Sequence, residues 1–265
     1  MACYFDGDVV AVDPVNGEVV DRVHVGIGAI GITLAAGSLW VSVHESAEVA
    51  RVNPETHEVI AVIDVGPQPE GIAGDEAGIW VTSEEDGAVY RIDPLTNEVV
   101  DTVEVGREPR HVELGFGSVW VTNFGSATIT RVDPATNEVV ATIEGGFGPE
   151  GIAFTEDMVW PDIAWVANVR DGTVSQIDPE TNQVIGTVQT GAGSEGLMVD
   201  EAGNLWVAVA GQGEVAVIAG ASPDDVLDRY TAGAEPRRLV FAEDRLWVTN
   251  TGDGTLSSLQ VPIPE

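Results

Sequence analysis

Four histidines, one cysteine and 44 carboxylates stand against eleven arginines, with no lysine anywhere, so the side chains able to do chemistry form a short list. The chain is repetitive, and repetition supplies a control: a residue that departs from the column of its equivalents answers to something other than the shared fold. In the turn that enters the innermost strand of each repeat, one column reads Ile30, Glu70, Arg110, Glu150, Glu195, Arg237. The next reads Gly31, Gly71, His111, Gly151, Gly196, Arg238. Three carboxylates, three arginines and a histidine are expected to converge there. Glu70, Arg110, Arg237 and Arg238 are the expected ligand-binding groups, for a small polar or anionic ligand. His111, between Arg110 and Glu113, is the expected catalytic group, its arginine neighbour favouring the neutral, basic imidazole. A bland account competes: Glu70 with Arg110, and Glu195 with Arg237, neutralise each other and plug a channel. Glu150 and Glu195 come next to one another in the column without an intervening arginine, and like charges side by side raise a pKa or recruit a cation. With Asn123 and Asn168 ending nearby strands, Glu150, Glu195, Asn168 and Asn123 make an all-oxygen metal site suited to Ca or Mg. The lack of Cys or His in that set argues against Zn.

The other histidines fall in different registers. His24 shares a column with Asp64, Glu104 and Glu144, and His57 sits in a turn where its equivalents are Asn, so both are read as surface residues. His44 lies in a strand-connecting loop with Glu45, aligned to Glu84 and Glu85, within reach of the channel mouth or simply solvated. A five-residue insertion within 155–163 carries Trp160 and is expected on the face away from the Glu/Arg turns, as a cover, a ligand stack or a partner contact. No nucleophile motif, Gly-rich phosphate loop, Cys/His cluster or flavin fingerprint appears, which speaks against redox and phosphoryl-transfer chemistry.

The elements that must position these residues follow from a period of about forty residues, the signature of a repeat architecture. Leu39-Trp40-Val41, Ile79-Trp80-Val81, Val119-Trp120-Val121, Ala164-Trp165-Val166, Leu205-Trp206-Val207 and Leu246-Trp247-Val248 recur at spacings of 40, 40, 45, 41 and 41. After each comes a second strand, then a turn such as Asn53-Pro54, Asp93-Pro94, Asp133-Pro134 or Asp178-Pro179, then a return strand rich in valine and isoleucine. Gly71-Ile72-Ala73 and its counterparts form the remaining strand. Four short antiparallel strands per period make a propeller blade, with the tryptophans packed between blades. The expectation is all-β: one six-bladed propeller domain over 1–265, with blades at about 26–65, 66–105, 106–145, 146–190, 191–232 and 233–265, closed by the N-terminal strands in 7–25. One strand is surplus, because 8–12 and 256–260 match the same slot.

Composition bounds the partners. A formal net charge of −33 and no lysine leave no basic face for nucleic acid and disfavour anionic membranes. The acidic surface resembles that of proteins adapted to high salt. No signal-peptide pattern or membrane-length apolar run is present, so localisation stays open, extracytoplasmic being consistent with a mature or trimmed form. Cys3 alone forms no disulfide framework. A monomer with a small-molecule ligand, or a protein or glycan partner, is expected.

The segments Trp247 to Thr255, Asp-Pro-x-Thr-Asn-Glu-Val-Val, and Pro-Glu-Gly-Ile-Ala resemble the YVTN-type β-propeller repeat and are similar to repeats of virginiamycin B (streptogramin) lyases. That resemblance implies a propeller over the whole chain and, as the alternative to a binding module, a Mg- or Ca-dependent lyase or lactonase using His and Glu at the channel mouth. The lyase repeats often carry Trp-Phe-Thr-Glu strand ends and Pro-His-Gly turns. Here the strand ends are Val43, Ser83, Asn123, Asn168, Val209 and Asn250, and the turns read Glu70-Gly71, Glu150-Gly151 and Glu195-Gly196.

Overall fold

Each Asx-Pro turn closes as its chemistry dictates: the side-chain oxygens of Asn53, Asp93, Asp133 and Asp178 accept the backbone N–H two residues on, at 2.7–2.8 Å. The strands flanking these turns pair antiparallel in a computed structural model that describes residues 1–156, 158, 161–220 and 222–261. Trp160 lies outside the described residues.

The N-terminal sheet holds β1 (Ala2–Cys3), β2 (Asp8–Val12) and β3 (Val19–His24). Four-stranded sheets follow: β4 (Ala29–Ala35), β5 (Ser38–Val43), β6 (Glu48–Val52), β7 (Val59–Asp64); then β8 (Pro69–Gly74), β9 (Ile79–Ser83), β10 (Ala88–Asp93), β11 (Glu98–Glu104). The next is β12 (Pro109–Gly115), β13 (Ser118–Asn123), β14 (Thr128–Asp133), β15 (Glu138–Glu144), and after it β16 (Pro149–Thr155), β17 (Ile163–Asn168), β18 (Thr173–Asp178), β19 (Gln183–Gln189). The last four-stranded sheet is β20 (Ser194–Val199), β21 (Leu205–Val209), β22 (Glu214–Ala219), β23 (Ser222–Thr231), and β24 (Pro236–Ala242), β25 (Arg245–Asn250), β26 (Thr255–Leu259) close the series.

The described residues thus form seven blade sheets, which corrects the expectation of six and of a last blade closed by N-terminal strands. The surplus strand is the clue: β2 and β26 do occupy equivalent slots, but in different sheets. Ala2 pairs with Val9 and Cys3 with Asp8, just as Ser42 pairs with Val49 and Val43 with Glu48. β1 is therefore the second strand of an additional blade. No tryptophan marks it, so a count of tryptophans overlooks it.

Contacts divide the chain into two compact units, Met1–Ser126 with Thr130–Thr142, and Ala127–Ile129 with Ile143–Glu265. Inside the first, Trp40 packs with Ile72, Ile79, Val81 and Ile92 of the following sheet, and Trp80 with Val112, Val119, Val121 and Val132. Inside the second, Trp165 packs with Leu205, Val207 and Ile218, and Trp206 with Leu246, Val248 and Val261. The tryptophans are inter-sheet core, each sheet lending its neighbour the apolar face that a lone blade cannot bury.

Polar ties between neighbouring sheets account for arginines outside the expected site. In the first unit the Arg51 guanidinium lies 4.7 Å from the Trp40 ring centroid and donates to Pro94 O (2.7 Å) and Asn97 Oδ1 (2.8 Å) in the next sheet's turn. Arg91 repeats this over Trp80, donating to Pro134 O (2.9 Å) and Asn137 Oδ1 (2.8 Å). Asn97 and Asn137 adopt φ of +58° and +59°, a conformation asparagine tolerates better than most residues, while presenting the acceptor. Arg91→Ala removes three charge-assisted hydrogen bonds, the third from Nη2 to Ala77 O at 3.1 Å, and a cation–π contact, and is expected to lower the unfolding free energy by about 2 kcal/mol in urea denaturation. Asn137→Ala on top of Arg91→Ala should add less than it costs alone, because both changes remove one interaction.

The glycine column is also architectural. A Cβ on Gly71 would stand 2.6 Å from Arg110 O and 2.8 Å from His111 Cα, and one on Gly31, Gly151 or Gly196 would overlap the carbonyl of Glu70, Glu195 or Arg237. The first strands of successive sheets approach closely at these points, so only hydrogen fits. Arg238 departs from the column in β24, the last first strand among the described residues.

Candidate functional site

In the first unit, Glu70 is the second residue of β8 as Arg110 is of β12, each directly after the proline that opens the strand, and the two meet at 3.8 Å. Glu84, in the loop after β9, holds the same guanidinium at 2.9 Å, and the Phe124 ring lies 4.2 Å from its Cζ. Glu70 is 4% exposed. Arg110 is therefore clamped between two carboxylates over an aromatic face, with its side chain still 28% accessible.

A second set lies beside it. The Tyr4 hydroxyl donates to Glu45 Oε1 at 2.5 Å and stands 3.3 Å from His44 Nδ1. The hydrogen bond to Glu45, then burial, then the negative charges of Glu45, Glu70 and Glu84, push the Tyr4 hydroxyl up to about 12. The phenol thus stays protonated and acts as a donor at neutral pH. The loop that carries Tyr4 is fixed by main-chain bonds, Gly28 N to Tyr4 O and His44 N to Gly28 O, at 2.8 and 2.9 Å. Phe5, 88% exposed, meets the Tyr4 ring edge-on with centroids 5.4 Å apart.

Sequence reasoning placed Glu70 and Arg110 here but missed Tyr4, Glu45, Glu84 and Phe124, and left His44 between loop and mouth. A signal existed: the column after the second strand reads His44, Glu84, Phe124, Val169, Ala210, Thr251, and its first three members are the large, chemically active ones. Tyr4 had no column, because its blade was not recognised. His111 sits half-buried in β12, its N–H bonded to Thr122 Oγ1 at 3.2 Å.

In the second unit, Glu150 and Glu195 do share a cation, and it is a guanidinium. Arg237 Nη2 is 3.2 Å from Glu150 Oε1 and its Nε is 3.2 Å from Glu195 Oε2. A long side chain two sheets away in sequence reaches both acids, which the order of the column did not suggest. Glu150 is 2% exposed. Arg238 is held through its backbone N–H to Thr249 Oγ1 at 3.0 Å.

The asparagines serve the blades. Asn123 donates from Nδ2 to Thr130 Oγ1 and accepts from Gly106 N, at 2.9 and 3.0 Å. Asn168 donates to Thr173 Oγ1 and Ser175 Oγ at 3.0 and 2.9 Å, and Asn250 repeats the pattern with Thr255, Ser257 and Gly233. Among the described residues no group of three or more His, Cys, Asp or Glu is arranged to hold a metal ion. With their amide donors bonded to blade hydroxyls and both acids on Arg237, these four residues do not fit a divalent-ion cage.

Glu113 in β12 is a separate titrating group. Burial pushes its carboxyl up to about 7, offset only slightly by the Leu114 N–H. A carboxyl whose folded pKa exceeds its unfolded value favours the fold while protonated, and that contribution is lost as pH rises from about 4.5 through 7. Glu113→Gln should leave stability unchanged near pH 4 and raise it by about 1–2 kcal/mol at pH 8, allowing for partial solvent screening. Parallel urea titrations at the two pH values check this, and equal effects at both would refute it.

No protein-family model matches the sequence, and no curated protein matches it. Solved structures do match in fold. A virginiamycin B lyase from Staphylococcus aureus superposes with a TM-score of 0.82 at 15% identity, covering 97% of this chain and 89% of that one. A streptogramin B lyase gives 0.79 at 13% identity, over 92% and 84% of the two chains. A functionally unknown protein from Desulfotomaculum acetoxidans gives 0.80 at 14%, over 96% and 88%. At these identities the likeness establishes a shared β-propeller fold.

Proposed function

We propose that this propeller is a binding module that takes a small polar ligand at the cluster of Tyr4, His44, Glu45, Glu70, Glu84 and Arg110. The observation that carries this reading is the clamped Arg110: a guanidinium fixed by two carboxylates and a ring, yet partly open to solvent, is a preorganised donor. The Tyr4 proton is held by Glu45 Oε1, so Tyr4 orients that carboxylate and offers its phenol oxygen, while Glu45 and His44 supply acceptors. Three carboxylates against one guanidinium favour a neutral, hydrogen-bonding ligand over an anion. In the second unit Arg237 and Arg238 offer the complementary, less acidic setting for an anionic group. A divalent cation draws no support from Glu150, Glu195, Asn168 or Asn123, for the reasons above.

A thermal-shift screen of small amides, polyols, hydroxy acids and lactones tests the reading. A compound that binds should raise the melting temperature of the wild type and fail to do so with Arg110→Ala or with the double change Tyr4→Phe, Glu45→Gln. Hits that persist in both variants would overturn it.

The second reading, a lyase or lactonase, is favoured by the Tyr4–His44 contact on a fold shared with streptogramin B lyases. His44 would take the proton, and Tyr4 would donate to developing negative charge by turning its proton away from Glu45; His111 is the other candidate base. Turnover of a lactone or ester that disappears in His44→Ala, or in His111→Ala, would establish this reading in place of simple binding.

A further inference from the structure

We infer that a groove in the second unit, remote in sequence from Tyr4 and Arg110, is a saccharide subsite that accepts one neutral or amino hexose unit. The groove has a volume of about 430 Å³, and its lining includes Glu144, Asn168, Asp171, Ser175, Thr187 and Gln189. It is thus walled by carboxylates, amides and hydroxyls, the groups that pair with sugar hydroxyls, at a size suited to a small ligand.

The repeat shows that this groove departs from the shared pattern. Where the equivalents are Val25, Val65, Val105, Thr190 and Ala232, the groove's lining has Gly145, and the place of the missing side chain is taken by Ile129, whose Cδ1 would stand 2.7 Å from an added Cβ. Where the equivalents are Ile27, Pro67, Arg107, Ala192 and Ala234, the residue that follows the lining Gly146 is Phe147, which is 66% exposed. Main-chain bonds fix Phe147 there, its N–H to Asp171 Oδ2 at 2.7 Å and its carbonyl to Arg170 N at 3.2 Å. An exposed aromatic face beside clustered carboxylates, amides and hydroxyls matches the apolar face and polar rim of a pyranose.

An independent observation comes from Asn168. Asn123 and Asn250 each accept a glycine N–H through Oδ1, at 3.0 and 3.1 Å. The Oδ1 of Asn168, in a residue with no exposed surface, has no hydrogen-bond partner among the described residues. A buried acceptor without a partner costs on the order of 1–3 kcal/mol, which a ligand hydroxyl or amine would recover. A metal ion is a poorer occupant, because Asp171 already accepts from Phe147 and no three of His, Cys, Asp or Glu come together among the described residues. Glu144 and Asp171 would repel an anionic sugar.

Saturation-transfer NMR on the full chain tests this, with methyl glucoside, glucosamine and glucuronate as probes, in enough NaCl to suppress unspecific attraction of the amine. Methyl glucoside and glucosamine should receive saturation and glucuronate should not. Phe147→Ala and Asp171→Asn should reduce the transfer at least fivefold. Arg110→Ala should leave it intact, which separates this site from the cluster around Tyr4. Absence of transfer from either hexose to the wild type, or transfer undiminished in both Phe147→Ala and Asp171→Asn, would overturn the proposal.

Discussion

Arg237→Met is expected to lower the unfolding free energy by about 3–5 kcal/mol, because it strips the ion pair from a carboxylate that is only 2% exposed and from a second one beside it. The guanidinium itself gains little over a well-packed apolar group; the cost arises from leaving Glu150 charged in a dry site. The double variant Arg237→Met, Glu150→Gln should therefore recover much of the loss, and Arg237→Lys, a point charge without the planar fork, should fall between. Urea denaturation of the four proteins decides the matter. A loss below about 1 kcal/mol would mean that the pair is solvated and contributes as a surface bridge does.

Gly196→Ala is the second large effect. Its new methyl group would collide with the Arg237 carbonyl, a backbone atom that cannot swing aside. Overpacking against a side chain costs about 1–3 kcal/mol, and a clash with backbone should cost at least the upper figure. Gly37→Ala is the control: it sits at φ +66° with nothing within 4 Å, so it carries only the conformational penalty of about 1–2 kcal/mol. The difference between the two midpoints isolates the close approach of successive first strands. Gly71→Ala should resemble Gly196→Ala, since its added Cβ would stand 2.6 Å from Arg110 O.

Much of this was visible in the residues. The Trp columns and Asx-Pro turns defined the sheets, their order and the inter-sheet core, because those features depend on local chemistry repeated many times. The blade count failed at the one place where repetition was incomplete: β1 pairs like the other second strands but carries no tryptophan. For the site, Glu70 with Arg110 and Glu195 with Arg237 could be read as pairs from their places in the column. Arg237 reaching Glu150 as well, and Arg110 reaching Glu84, could not, because a flexible side chain spans more than one column. Asn123 and Asn168 looked like ligands because they end strands near acids, whereas the structure shows the hydroxyls that bind their amides, one strand over. The scarcity of arginine also misled: Arg51 and Arg91 are architectural, although their regular spacing alone would have said so.

The Arg–Asn ties have a consequence for how such a chain can grow. The arginine of one repeat meets the asparagine of the next, at Arg51–Asn97 and again at Arg91–Asn137, so each repeat carries both halves of a lock that closes only on its neighbour. A gene segment encoding one repeat, duplicated in tandem, would produce two copies that already recognise each other, with no compensating change elsewhere. Where the lock lapses, both halves lapse together: Ala11 stands where the arginine would be, and His57 where its asparagine would be.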